Sequence, residues 1–246
     1  MKFKIVKKLF LAFIFPAIIF ETMHAQAFYM GGGENFSFIN IESLDFVVNR
    51  YNETRTYLTK EMDDFSYMRG GTVNLGFVGE SGLTFEMAWV GRHMKQYAEG
   101  VDNTNTLQRR DLKIRNNTFN LGAGYTFARE SVFCPGILAS FDFGSFRSFT
   151  RIAPADDIKD ADFDQVSKDT QLGLSFMLNL MIAAKEKPWG IAVRPYYQVQ
   201  LFGVDYQELN FAINPATASA DYTEDLSEPN SNFGVQVTLM LVFRDK

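Results

Sequence analysis

The stretch from Asn117 to Phe127, N-T-F-N-L-G-A-G-Y-T-F, constrains this chain more than any other. Phe119, Leu121, Ala123, Tyr125 and Phe127 fall on one parity, and Thr118, Asn120, Gly122, Gly124 and Thr126 on the other. Successive side chains of a strand point to opposite faces, so this is a β-strand with one apolar face and one small, polar face. If the apolar face meets lipid and the polar face a lumen, repeated strands of this kind build a transmembrane barrel. If the apolar face points inward, they build a soluble barrel or sandwich.

The pattern recurs seven more times. A first strand runs from Phe28 through Gly31-Gly32-Gly33 to Phe36 and Phe38. Val73, Leu75 and Phe77 mark the second strand, and Leu83, Phe85, Met87 and Trp89 the third. The stretch above is the fourth. Phe133 to Phe143, Leu172 to Ile182, Ile191 to Leu201 and Phe233 to Phe243 alternate in the same way. One segment departs from period two. Ile41, Leu44, Val47, Val48 and Tyr51 keep a 3.6-residue spacing behind Asn40 as N-cap, and Leu58, Met62 and Phe65 continue it. This predicts a helical loop over about 40–65, lying over a barrel mouth or docking a partner.

The connections alternate in length. Gly79-Glu80-Ser81-Gly82, Ala128-Arg129-Glu130-Ser131 and Lys185-Glu186-Lys187-Pro188 are short turns, whereas about 39–70, 96–111, 145–169 and 207–230 read as long, polar loops. In outer-membrane barrels the long loops face outside and the short turns the periplasm, with an even strand number. Residues 1–27 have the form of a secretory signal: Lys2, Lys4, Lys7 and Lys8, an apolar run from Leu9 to Phe20, then Ala25-Gln26-Ala27. That run of about 12 residues, interrupted by Pro16, is too short for a spanning helix. The expected division is a signal peptide over 1–27 and a barrel domain over 28–246.

Composition decides which face is inside. Aromatics reach 15%, with 25 Phe but 2 Trp, as aromatic girdles require. The polar parity is crowded with Gly, Ser, Thr and Asn, which suits the narrow interior of eight strands. It carries isolated charges, Glu86, Arg92, Asp142 and Arg194, where a soluble surface would carry many more, Lys above all. The sixth and eighth strands are almost free of charge, and a charge facing lipid at mid-bilayer would cost roughly 2–4 kcal/mol. The predicted fold is all-β: an eight-stranded antiparallel up-and-down transmembrane barrel with one helical extracellular loop. A secreted lipocalin-like carrier, with the apolar face inward, is the alternative.

On strand pattern, loop rhythm, the Ala25-Gln26-Ala27 signal end and an aromatic terminal strand, residues 28–246 resemble the small outer-membrane barrels of the OmpA/OmpX type. In style they are closest to the PorT-like outer membrane protein beta-barrel domain of Bacteroidota. Such barrels often end on an aromatic residue, but here Phe243 is followed by Arg244-Asp245-Lys246. The resemblance implies location in the outer membrane, contact with its lipid and loops open to a protein partner.

Candidate chemistry is sparse. Removing the four leader lysines and Glu21 from 24 basic and 29 acidic side chains leaves 20 and 28, a net charge of −8, which argues against nucleic-acid binding. The single Cys134 excludes an intramolecular disulfide and a Cys-cluster metal site. His93 is the one histidine outside the leader, so a Ser–His–acid set for lipid A modification would have to use it. Asp160, Asp162 and Asp164 match the first ligands of a calcium loop, but Gln165 replaces its Gly and Gln171 its bidentate Glu. Gly31-Gly32-Gly33 and Gly122-Ala123-Gly124 lack the strand-to-helix setting of a phosphate loop. No cofactor is expected. Glu86, Arg92, Asp142 and Arg194 form the most structured constellation: charges in a narrow lumen need partners, so a plugging salt-bridge network is predicted, with a gated ion path as the sharper alternative.

Overall fold

The computed structural model describes residues 25–128, 131–184, 188–219 and 225–244. Residues 1–24 of the leader predicted over 1–27 therefore lie outside the described residues, and β1 (Ala25–Ile39) already includes the predicted cleavage triplet. Helix α1 (Glu42–Glu53) and a short β2 (Leu58–Lys60) follow. Next come β3 (Tyr67–Gly79), β4 (Leu83–Val101), β5 (Leu107–Thr126), β6 (Phe133–Pro154), β7 (Asp164–Ala183) and β8 (Trp189–Gln200). The chain ends through β9 (Val204–Asp205), α2 (Gln207–Ile213), β10 (Ser227–Glu228) and β11 (Asn232–Arg244).

Eight of these strands close a ring. The order is β1-β3-β4-β5-β6-β7-β8-β11, every pair is antiparallel, and β11 returns to β1 from Phe28↔Phe243 to Ile39↔Asn232. Among these eight only successive strands pair, apart from this closing seam, which makes an up-and-down barrel, and β2 adds a short pairing to the end of β4. Its wall is apolar outside: Leu239 is 63% exposed, Val73 59% and Phe176 56%. Aromatic rings pair across strands on that surface, Phe119 with Phe143 at 5.0 Å and Phe38 with Phe233 at 5.1 Å. The inward residues Thr72, Asn74, Thr118, Asn120, Ser140, Ser175 and Gln236 are buried and polar. Polar inside and apolar outside is the arrangement of a membrane-spanning barrel and the reverse of a lipocalin.

The strand extents correct the sequence reading. β4 and β5 run on to Val101 and back from Leu107, and β6 and β7 to Pro154 and back from Asp164, so two of the expected long loops shrink to 102–106 and 155–163. In these extensions the alternation inverts. Met94, Ala98, Leu112, Ile114 and Phe146 point inward and are buried, while Lys95, Glu99, Arg109, Lys113 and Arg151 point outward. The outward charges make the segments look like polar loops, yet the inward apolar set keeps them paired strands. One lipid-parity charge also departs from expectation. Glu34 is exposed on the outer face of β1, opposite Gly71 and Val237.

The helical loop is shorter than predicted. α1 ends at Glu53, Ile41 rather than Asn40 stands at its N-cap, Leu58 lies in β2, and Met62 and Phe65 lie in irregular chain. Met62 and Phe65 are nevertheless buried, because both pack under α1. α2, inside the expected loop 207–230, carries no long apolar period and was not foreseen. At the opposite end, Tyr29, Val78, Cys134, Met181, Ala192 and Met240 form a second, smaller apolar cluster.

Glycines let the inner wall bend. A Cβ at Gly124 would meet the Ile137 carbonyl oxygen and lie 2.8 Å from the Leu138 Cα on β6. Gly124→Val is expected to block closure between β5 and β6, whereas Ala123→Val, on the outer face, should be accepted. Electrophoretic mobility with and without boiling reads this: a folded Gly124→Val barrel that still shifts on heating would contradict it.

Candidate functional site

The polar interior separates into two layers. In the one nearer the short turns, Arg194 on β8 donates from Nη1 to Glu86 Oε1 on β4 at 2.8 Å, with both side chains almost fully buried. Arg194 Nε donates to Asn179 Oδ1 at 2.9 Å. Glu86 Oε2 accepts from Tyr29 OH at 2.8 Å and from Asn74 Nδ2 at 3.2 Å. Each charge thus has an opposite partner and additional neutral ones, the condition for tolerating a buried pair.

In the second layer no direct ion pair forms. Arg92 donates from Nη1 to Ser37 Oγ at 2.6 Å and Asn232 Oδ1 at 3.1 Å, and from Nη2 to Gln198 Oε1 at 3.0 Å. Gln198 Nε2 in turn donates to Asp142 Oδ2 at 2.6 Å. Asp142 also accepts from Ser140 Oγ at 2.7 Å, from Asn120 Nδ2 and from Ser175 Oγ. Arg92 and Asp142 therefore communicate through the Gln198 amide. The four predicted residues share the interior, but only Glu86 and Arg194 are ion-paired among them. The sequence reading missed Gln198, Tyr29, Ser37, Asn74 and Asn179. All lie on the lumen parity, so the signal was the same alternation that located the charges.

Above these layers lies the largest apolar core. Leu44, Val47, Val48 and Tyr51 of α1 pack with Leu209 and Ile213 of α2 and with Met94, Leu112, Ile114 and Phe146 of the extended strands. Polar contacts lock the α1 and α2 segments together. Ser43 N donates to Glu228 Oε2 at 2.8 Å, Arg55 Nη1 to Asn214 Oδ1 at 3.2 Å, and Asn214 Nδ2 to the Val47 carbonyl at 3.0 Å. Tyr206 OH donates to Asn230 Oδ1 at 2.7 Å, and burial pushes its ionisation far up, so it stays a donor. Asp45 on α1 is the strained member. Burial raises its carboxyl from 3.8 to about 6, Asp64, Glu228 and Glu42 push the same way, and a backbone hydrogen bond with Phe65 opposes them. One of its oxygens has no hydrogen-bond partner.

The remaining sequence candidates do not assemble. His93 points outward, between Arg69 and Arg115 in register, and no hydroxyl or carboxylate among the described residues hydrogen-bonds it. Asp160, Asp162 and Asp164 do not converge: among the described residues no group of three metal-ligating side chains is gathered. Instead Asp164 opens β7 opposite Thr150. Cys134 is buried in the lower apolar cluster near the Ser131 carbonyl.

Neither a protein-family model nor a curated protein sequence matches the chain. Solved structures of outer-membrane proteins resemble it. OprG from Pseudomonas aeruginosa has 10% identity, covering 91% of this chain and 98% of that one, with a TM-score of 0.43. Neisserial surface protein A has 11% identity, coverage of 89% and 99%, and a TM-score of 0.42. The outer membrane protease OmpT from Escherichia coli has 10% identity, coverage of 91% and 99%, and a TM-score of 0.40. The closed eight-strand register already defines the fold without them, and it is that of the small outer-membrane barrels.

Two predictions follow from the interior and the cap. Glu86→Ala strands a buried guanidinium and should destabilise the barrel by roughly 3–5 kcal/mol, whereas Glu86→Met with Arg194→Met, which leaves no naked charge, should cost less. Denaturant unfolding in detergent measures both, and a double variant worse than Glu86→Ala would count against the pairing. For Asp45 the folded pKa lies above the unfolded one, so the folded cap binds the proton more tightly. Its unfavourable contribution is absent below about pH 4, grows towards pH 6 and is complete above it. Protection factors of the amides across 40–66, each taken relative to the intrinsic exchange rate at the same pH, should therefore be higher at about pH 5 than at about pH 7.5, and Asp45→Asn should remove the difference.

Proposed function

We propose that this chain is a closed, non-conducting outer-membrane barrel whose role is structural or interactional, with the α1–α2 cap as its display surface. The observation that carries this reading is the packing of both long loops into one apolar core over the lumen. The interior supports it. An eight-stranded barrel is just wide enough to be filled by its own side chains, and here Glu86, Arg92, Asp142 and Arg194 are engaged by neighbours across the lumen. A plugged lumen of this kind favours rigidity over transport. Location in the outer membrane fits the apolar exterior, and cleavage of residues 1–27 would deliver the chain there. The outward, unassisted position of His93 favours a non-catalytic role over lipid modification.

Planar-bilayer recording of the folded, purified chain tests the reading. No discrete conductance steps are expected. Regular single-channel steps that vanish when Arg92 or Arg194 is replaced would instead establish a gated ion path through the same residues.

A further inference from the structure

The outer wall carries a row of basic side chains that the role above leaves unused. Arg69 on β3 stands opposite His93 on β4, His93 opposite Arg115 on β5, Arg115 opposite Arg147 on β6, and Arg147 opposite Lys168 on β7. Neighbouring strands lie about 4.8 Å apart, so the row runs roughly 19 Å around the wall. All five side chains are on the outward parity; Arg69, His93 and Lys168 are exposed, and Arg115 and Arg147 half-buried.

Like charges directly opposite one another destabilise a sheet. Carboxylates normally intervene, but among the described residues none is ion-paired with any of the five. Asp111, on the outward parity of β5 four residues above Arg115, is already held by Lys95 at 2.7 Å and by Arg109 and Arg151 at 2.8 Å each. Glu34 lies one row below, diagonal to Arg69, and makes no ion pair with it. Arg147 Nε is buried without a hydrogen-bond partner. Lys113, one row above Arg115, adds a further cation that no carboxylate pairs.

Along each of these strands the outward residues follow the depth profile of a leaflet. Val73, Trp89, Phe119, Phe143 and Leu172 form an apolar row; Gly71, Gly91, Asn117, Ser145 and Thr170 follow; then come the cations. Hydrocarbon, interface and headgroup succeed one another in that sequence. The row of basic residues ends at β3. At the same register, β1, β11 and β8 carry Phe36, Val235 and Pro195. A localised arc with three arginines suits phosphate oxygens, which a guanidinium can grip with two parallel hydrogen bonds.

We propose that this arc on β3 to β7 docks phosphate-bearing headgroups of membrane lipids in the leaflet on the cap side. The proposal rests on the membrane-spanning reading of the barrel. The counter-charge missing from the sheet is then supplied by the bilayer, and lipid contributes to holding β3 to β7 in register.

Reconstitution of the full chain into vesicles of phosphatidylcholine, alone or with phosphatidylglycerol, tests this, with retained lipid counted by native mass spectrometry. The wild type should retain phosphatidylglycerol preferentially, and Arg69→Gln, Arg115→Gln, Arg147→Gln and Lys168→Gln together should lower retention at least about tenfold. A charge-keeping variant, R69K with R115K and R147K, should retain it. A folded neutral variant that keeps its phosphatidylglycerol overturns the proposal. If the neutral variant does not fold, the wild type decides: a preference below about twofold overturns it. Displacement of the lipid by inorganic phosphate would assign the arc to a free anion and overturn the lipid source. A wild type that inserts into neither vesicle, with no heat-dependent gel shift, refutes the membrane-spanning reading itself, whereas insertion without lipid preference refutes the arc alone.

Discussion

The seam between β1 and β11 is the constraint on which everything else depends. A strand in hydrocarbon has no water to satisfy its backbone N–H and C=O groups, so a spanning sheet must close on itself. Thirteen consecutive residue pairs, from Ala27↔Arg244 to Ile39↔Asn232, make that closure. Once the ring is shut, each side chain faces either lipid or an interior of fixed width. Gly31, Gly33 and Gly234 lie along the seam, where a Cβ would strike the neighbouring strand or an inward ring.

Closure creates a second problem, the filling of the lumen. The chain solves it in layers of different chemistry. An apolar cluster around Tyr29 and Met240 lies at the short-turn end, two polar layers follow, and the cap core lies above. The two polar layers handle charge differently. Glu86 and Arg194 neutralise each other directly, while Arg92 and Asp142 are bridged by Gln198 and surrounded by hydroxyls and amides. Removing one member of the direct pair leaves a naked charge; removing one member of the bridged set leaves several neutral groups still able to repartner. The layers therefore differ in how sharply substitutions should register.

The wall was legible in the sequence because period two is a strong signal when both faces are chemically pure. The strand around Phe119 to Tyr125 is such a case, and so are the four buried charges on the lumen parity. The upper third was not legible for a physical reason. In β5 the outward set changes from Phe119 and Leu121 to Arg115 and Lys113, and the inward set from Thr118 and Asn120 to Ile114 and Leu112. The strand persists while its polarity inverts, so a search for apolar-out strands stops near Asn117. The same inversion at Met94 and Phe146 concealed the extensions of β4 and β6. α1 is legible because its apolar stripe packs on the cap core; its length is not, because Met62 and Phe65 reach the same core from irregular chain.

That inversion also explains why charge is treated so differently on the two sides of one wall. Inside, desolvation allows few charges, and each of the four is tied to specific partners. Outside, where β3 to β7 leave the apolar belt, basic side chains crowd into consecutive register positions, Arg115, Arg147 and Lys168 side by side, with no acid between them. A protein could relieve that repulsion with one glutamate, and Glu99 and Asp111 show that the outer wall uses carboxylates a few positions higher, where Lys95, Arg109 and Arg151 are paired. Acids are thus available to the wall above the arc and absent within it. The distribution is what a wall needs if an anionic surface already lies at that depth, since an internal carboxylate there would repel the headgroups that the cations attract.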